Sequence, residues 1–126
     1  MSSEDNKKVM LKWMNAWNQH DILLMEKLAD EVFSADVIMH DPGFPDTERG
    51  TGGVKEFVRR IMTNAPDTRI TVQDLFAEGD KVAIRFTVSS TNTATGKLES
   101  MQLLDISHFV NGKIAEEWEI GVAGSW

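Results

Sequence analysis

The sequence predicts an α+β fold, a curved antiparallel sheet wrapped over three N-terminal helices as a cone-shaped α+β barrel. Two observations carry this. Apolar residues up to Ile61 recur at helical spacing, and after Pro66 they fall into long strand-like segments separated by hairpin turns. Helices followed by a meander is an α+β order. No internal repeat, low-complexity tract or linker interrupts the 126 residues, so residues 1–126 read as a single domain.

From Val9 onward, Met10, Trp13, Met14 and Trp17 recur at i, i+3, i+4 and i+7 and share one stripe of a first helix. Glu4 and Asp5 suit its positive N-terminal end. The polar run Asn18-Gln19-His20 stops it, and Asp21 is a good N-cap for a second helix through Leu24, Met25, Leu28 and Val32. The period then changes. Val37-Ile38-Met39-His40-Asp41 is rich in β-formers and is ended by Pro42, Gly43 and Pro45, which gives a short strand and a loop. Thr51 is the expected cap of a third helix bearing Val54, Phe57, Val58 and Ile61, and Asn64-Ala65-Pro66 ends it. Strands are expected over residues 68–76, 81–90, 98–110 and 113–120. Gly79-Asp80, residues 92–96 and Asn111-Gly112 are the turns between them, so consecutive strands should pair antiparallel. Val82, Ile84, Phe86 and Val88 alternate with Ala83, Arg85, Thr87 and Ser89, which marks one buried face.

Composition excludes several functions. There are 13 basic and 20 acidic residues, a formal charge of −7, and the basic residues are scattered, which disfavours nucleic acid as a partner. Without cysteine there is no disulfide, thiolate nucleophile or cysteine-based metal site. Residues 1–6 lack the basic and apolar regions of a signal peptide, and no apolar run approaches ~18 residues. The reading is a cytoplasmic protein with no membrane partner.

Carboxylates in strands are the informative residues, because a strand disfavours them. Asp41 shares a strand face with Val37 and Met39, Asp105 lies between Leu104 and Ile106, and Glu119 follows Trp118. Among apolar neighbours a carboxyl is desolvated and its pKa rises. It then serves as a base near neutrality or as an acid that stays protonated and donates a hydrogen bond.

The run Phe33-Ser34-Ala35-Asp36-Val37-Ile38-Met39-His40-Asp41-Pro42-Gly43, with Gly50 and the helix start Val54-Lys55-Glu56-Phe57, resembles the nuclear-transport-factor-two-like superfamily. So do Asp74-Leu75-Phe76-Ala77-Glu78-Gly79-Asp80-Lys81-Val82 and Gly112-Lys113-Ile114-Ala115-Glu116-Glu117-Trp118-Glu119. Together they look most like SnoaL-type polyketide cyclases and their ester cyclase relatives, over nearly the whole chain. In such cyclases the general base is an Asp directly after the Trp of the last strand, a position that falls on Glu119, and an assisting His falls on Asp105. In the related ketosteroid isomerases the base is the Asp of a Glu-Asp-Pro run, which resembles His40-Asp41-Pro42, and a protonated Asp of the oxyanion hole again falls on Asp105. The helix-one Tyr of those isomerases falls at or near Trp13, and this chain has no Tyr. Losing one such donor costs ~10²–10³ in rate, so a close mechanistic copy is not expected. An epoxide-hydrolase reading wants an Arg two residues before Asp105, where Leu103 stands.

The resemblance implies a cofactor-independent acid–base enzyme, a cyclase or isomerase, acting on a small apolar or aromatic carbonyl compound. Asp41 or Glu119 would be the base and Asp105 the neutral acid. The alternative is a non-catalytic binder that kept the pocket. Trp13, Met14 and Trp17, with Met39 and Phe57, are the candidate ligand-binding residues, and helical stripes of this kind also build core. No His has ligand spacing to another, so no metal is expected. His108, three residues from Asp105, should face away from it. Apolar residues on both strand faces, as in Leu103-Leu104, predict a homodimer through the sheet. Register decides whether Asp105 and Glu119 can meet. A two-residue Asn111-Gly112 loop pairs Val110 with Lys113 and turns Glu119 to the other face. A three-residue loop with Gly112 left-handed pairs Phe109 with Lys113 and Asp105 with Glu117, and puts both site carboxyls on one face. The cyclase resemblance needs the latter, which is the expected form.

Overall fold

The computed structural model describes residues 2–42 and 49–126. The expected loop positions Gly43 and Pro45 lie outside the described residues. In chain order the elements are α1 (Ser3–Trp17), α2 (Ile22–Val32), β1 (Phe33–His40), α3 (Gly50–Asn64), β2 (Arg69–Glu78), β3 (Lys81–Thr91), β4 (Leu98–Val110) and β5 (Lys113–Ala123).

Local chemistry explains most boundaries. Helix α1 starts before its apolar stripe because Ser2 and Asp5 form a capping box: the Ser2 hydroxyl accepts from the Asp5 N–H at 3.1 Å, and the Asp5 carboxylate accepts from the Ser2 N–H at 3.2 Å. Asp21 caps α2 as expected, accepting from the Leu24 N–H at 3.0 Å. Thr51 does not cap α3. The N-cap is Arg49, which makes no side-chain bond, and Thr51 lies inside the helix. The turn is set instead by Gly50, whose φ of +75 is the left-handed conformation glycine tolerates best. A Cβ at Gly50 would sit 2.7 Å from the Ala35 carbonyl oxygen. Gly50→Ala should therefore cost about 2 kcal/mol or more, read as a lower midpoint in urea denaturation with an unchanged slope. Strand β1 also begins earlier than its β-rich run, directly after α2, because Phe33 is already extended and buried.

The sheet order is β1-β5-β4-β3-β2. Neighbours from β2 to β5 are antiparallel hairpins, and β1 joins the far edge parallel to β5. The sheet curves and does not close, so the expected barrel is an open one with β1 and β2 as edges. Helix α1 lies against β2 and β3, and α3 against β1 and α2. The core between the layers includes Met10, Trp13, Met25, Val37, Val58 and Val82. Among the described residues no helix is long and apolar enough to cross a membrane.

The last hairpin departs from expectation. Val110 pairs with Lys113 across a two-residue loop, and Asn111 and Gly112 have φ of 52 and 80, as a type I′ turn requires. The strong Asn-Gly turn preference prevails over the expected three-residue loop. A bulge then shifts the register: Phe109 pairs with Ile114 but His108 with Glu116, leaving Ala115 as the extra residue. Asp105 consequently stands directly opposite Glu119 and not opposite Glu117.

Candidate active site

Period two along β4 turns Leu103, Asp105, Ser107 and Phe109 inward, and all four are buried. His108 points away and contacts the Asp80 carboxylate at 2.8 Å. The Ala115 bulge brings Glu117 and Glu119 of β5 to the same inner face. The parallel register of β1 pairs Met39 with Glu117 and His40 with Trp118, so the next residue, Asp41, arrives beside Glu119. His40 stays outside, stacked on Trp118 at 5.5 Å. One turn, one bulge and one parallel pairing thus gather four carboxyls from distant parts of the chain.

They line a cavity of about 160 Å³ between sheet and helices. Helix α1 contributes Trp13, Met14 and Trp17, with ring centroids of the two tryptophans 6.1 Å apart, and α3 contributes Phe57. Met39, Asp41, Asp105 and Glu119 complete the residues expected from the sequence, and all of them face this one space. A fourth carboxyl, Glu117, lines the cavity without having been expected there. Glu117 is 5% exposed and its carboxylate accepts a hydrogen bond from the Ser107 hydroxyl at 2.9 Å, with Ser107 fully buried. The signal is present in the sequence, since Glu117 is two residues from Glu119 and must share its face.

Burial dominates the electrostatics. It raises Asp105 well above the ordinary carboxylate range, and the charges of Glu117 and Glu119 add to the effect. Glu117 is pushed up to about 8 by burial, helped by Glu119 and partly opposed by the Ser107 hydrogen bond. Glu119 is pushed up to about 7 by burial, with its contact to Asp105 working against the rise and Asp41 adding to it. Contact between Asp105 and Glu119 raises the former and lowers the latter, which favours a shared proton on the Asp105 side. As a carboxylate, Asp105 would have no hydrogen-bond donor at either oxygen among the described residues; protonation turns the contact with Glu119 into a bond.

Oxygens of Asp105, Glu117 and Glu119 lie within 4.8 Å of one another, close enough to ligate a cation. A metal would need all of them ionised. Burial in this wall favours the protonated forms, so any cation bound there would have to displace protons.

The layers and the cavity define a class, the nuclear-transport-factor-two-like α+β proteins. The sequence profile of the SnoaL-like polyketide cyclases matches residues 7–121, and the chain belongs to that family. No match was found among curated proteins. Of solved structures, the chain is similar to wild-type IdmH from Streptomyces antibioticus, whose proposed role is that of a polyketide cyclase, at 26% identity and TM-score 0.79, covering 92% of this chain and 91% of that one. It is similar to TsrD from Streptomyces laurentii at 25% identity and TM-score 0.81, covering 96% and 90%. AclR from Streptomyces galilaeus, with a proposed role as a hydroxylase, matches at 27% identity and TM-score 0.77, covering 95% and 80%. Relatives with different proposed reactions share this fold, so the reaction has to be read from the site.

Proposed function

We propose that this chain is a cofactor-independent acid–base enzyme that takes a small apolar or aromatic carbonyl compound into the cavity and moves a proton at the carbon beside the carbonyl. Protonated Asp105 donates to the carbonyl oxygen and holds it as enolate charge develops there. Glu119, poised near neutrality at about 7, takes the proton. Asp41, adjacent to Glu119, is the second candidate base. The enolate then attacks another carbonyl in an aldol cyclisation, or is reprotonated elsewhere in an isomerisation. One observation carries this reading: Asp105 and Glu119 stand opposite each other across β4 and β5 in an apolar cavity wall, where burial raises both carboxyls.

In D₂O at pH 7 the protein should speed deuterium uptake beside the carbonyl of an aryl ketone such as 2-tetralone, followed by proton NMR. Asp105→Asn and Glu119→Gln should each slow that uptake by ~10²–10³. Uptake at the buffer rate with wild-type protein removes the catalytic reading. A second reading, a binder without chemistry, is favoured by the absence of any tyrosine, which leaves an isomerase-like site one donor short. It predicts ketone binding without exchange.

We also propose a homodimer through the outer sheet face. Leu104, Ile106, Trp118, Ile120 and Val122 stay exposed there, from 40% at Trp118 to 59% at Val122, and the helices cover only the inner face. The stripe runs along the two adjacent strands β4 and β5, so a two-fold axis can lay it on its own copy. Light scattering at micromolar concentration should give twice the chain mass, and a monomer would remove the proposal.

A further inference from the structure

The cavity wall holds more acid than a proton transfer uses. One base and one neutral acid account for Glu119 and Asp105, and leave Glu117 and Asp41. Helices α1 and α3 and strands β2 and β3 present aromatic and aliphatic side chains to the cavity, and no described lining residue is Lys, Arg or His. Arg60 stacks 5.7 Å from the centroid of the Phe57 ring, but it is exposed and outside the lining. The hydroxyl of lining residue Thr68 is already committed to the Ala65 carbonyl at 2.6 Å.

Carboxyls buried in an apolar wall without a cation are costly. Asp105 displays the deficit. It is 3% exposed, it faces the cavity, and neither of its oxygens has a protein donor among the described residues; the proton shared with Glu119 serves only one of them.

We infer that the cavity takes an organic cation, a protonated amine carried on an apolar frame. The inference rests on reading the cavity as a ligand site and adds the head group that this site selects. An ammonium supplies an N–H donor to the Asp105 oxygen that lacks one and a positive charge to a wall whose described ionisable groups are all acidic. Its apolar substituents meet Trp13, Trp17 and Phe57, whose rings also attract cations. A hydrated metal ion has no use for such walls, and an anionic ligand is repelled.

Isothermal titration calorimetry on the full chain with N,N-dimethylcyclohexylamine and its neutral isostere cyclohexyl methyl ketone tests this. At pH 7.5 the amine should bind at least tenfold tighter. Titrations in two buffers of different ionisation heat should show proton release with the amine alone, as the cation draws protons off Glu117 and Asp105. At pH 5 the preference should shrink. A variant combining Asp41→Asn, Asp105→Asn, Glu117→Gln and Glu119→Gln should bind both ligands equally; if it does not fold, the Asp105→Asn and Glu117→Gln single substitutions should each lower the preference. Ketone binding as tight as the amine, or a preference that survives the substitutions, overturns the inference and leaves the carbonyl reading standing. Binding of neither overturns both.

Discussion

Glu117→Gln should raise the melting temperature by roughly 5–10 °C at pH 8 and leave it nearly unchanged at pH 4, on the scale of about 3–5 °C per kcal/mol for a domain of this size. Burial lifts Glu117 from 4.5 to about 8 in the folded chain. A carboxyl raised on folding makes the native state prefer the proton. Its contribution to stability is complete below about 4.5, declines as pH rises, and is gone above about 8. Every tenfold change in proton affinity on folding is worth ~1.4 kcal/mol, so the wild type loses several kcal/mol across that window before neighbouring groups relax. Glutamine cannot ionise, and its carbonyl still accepts from the Ser107 hydroxyl. The variant should keep at pH 8 the stability that the wild type has at pH 4. Asp105→Asn should act in the same direction. Calorimetric melts at pH 4, 6 and 8 check both, and a lower melting temperature for Glu117→Gln at pH 8 would mean that this carboxylate is paired with a cation.

Trp13→Ala should cost about 3–5 kcal/mol, the range for removing a large buried aromatic side chain. Trp13 is 5% exposed, and its ring meets Phe33 edge-on at 5.0 Å and Trp17 at 6.1 Å. Trp13 thus ties α1, the start of β1 and the cavity wall together. Removing the indole leaves a void that these rigid neighbours fill only in part. Denaturant titration measures the loss. A change below 1 kcal/mol would show that the layer between helix and sheet is loosely packed.

The layers are legible in the sequence because both periodicities are strong: the stripe from Met10 to Trp17, and the alternation from Val82 to Val88, reflect which faces are dry. Boundaries set by single hydrogen bonds are less so. The Ser2 and Asp5 cap lies outside any apolar pattern, and Thr51 looks like a cap until the backbone at Gly50 is known. Asp105 and Glu119 do meet, but through a different loop from the one expected. Asn111-Gly112 determines the turn as its chemistry dictates, and the compensating residue is Ala115, which carries no sequence mark of a bulge. Glu117 shares the face of Glu119 by simple alternation, yet in that strand the resemblance assigns a role to Glu119 alone, and burial is what marks Glu117. The parallel union of β1 with β5 leaves no local trace at all, since nothing within either segment names a partner so far away.

That union governs when the molecule can become whole. Residues of β1 must wait for partners synthesised roughly 80 positions later, at a translation rate of about 5–20 residues per second. During those seconds Phe33 and Val37 have helical neighbours but no sheet, and contacts of such long sequence separation make folding slow. Asp41 reaches Glu119 only when this final edge closes, so a nascent or incompletely folded chain can hold its helices and hairpins and still have no site.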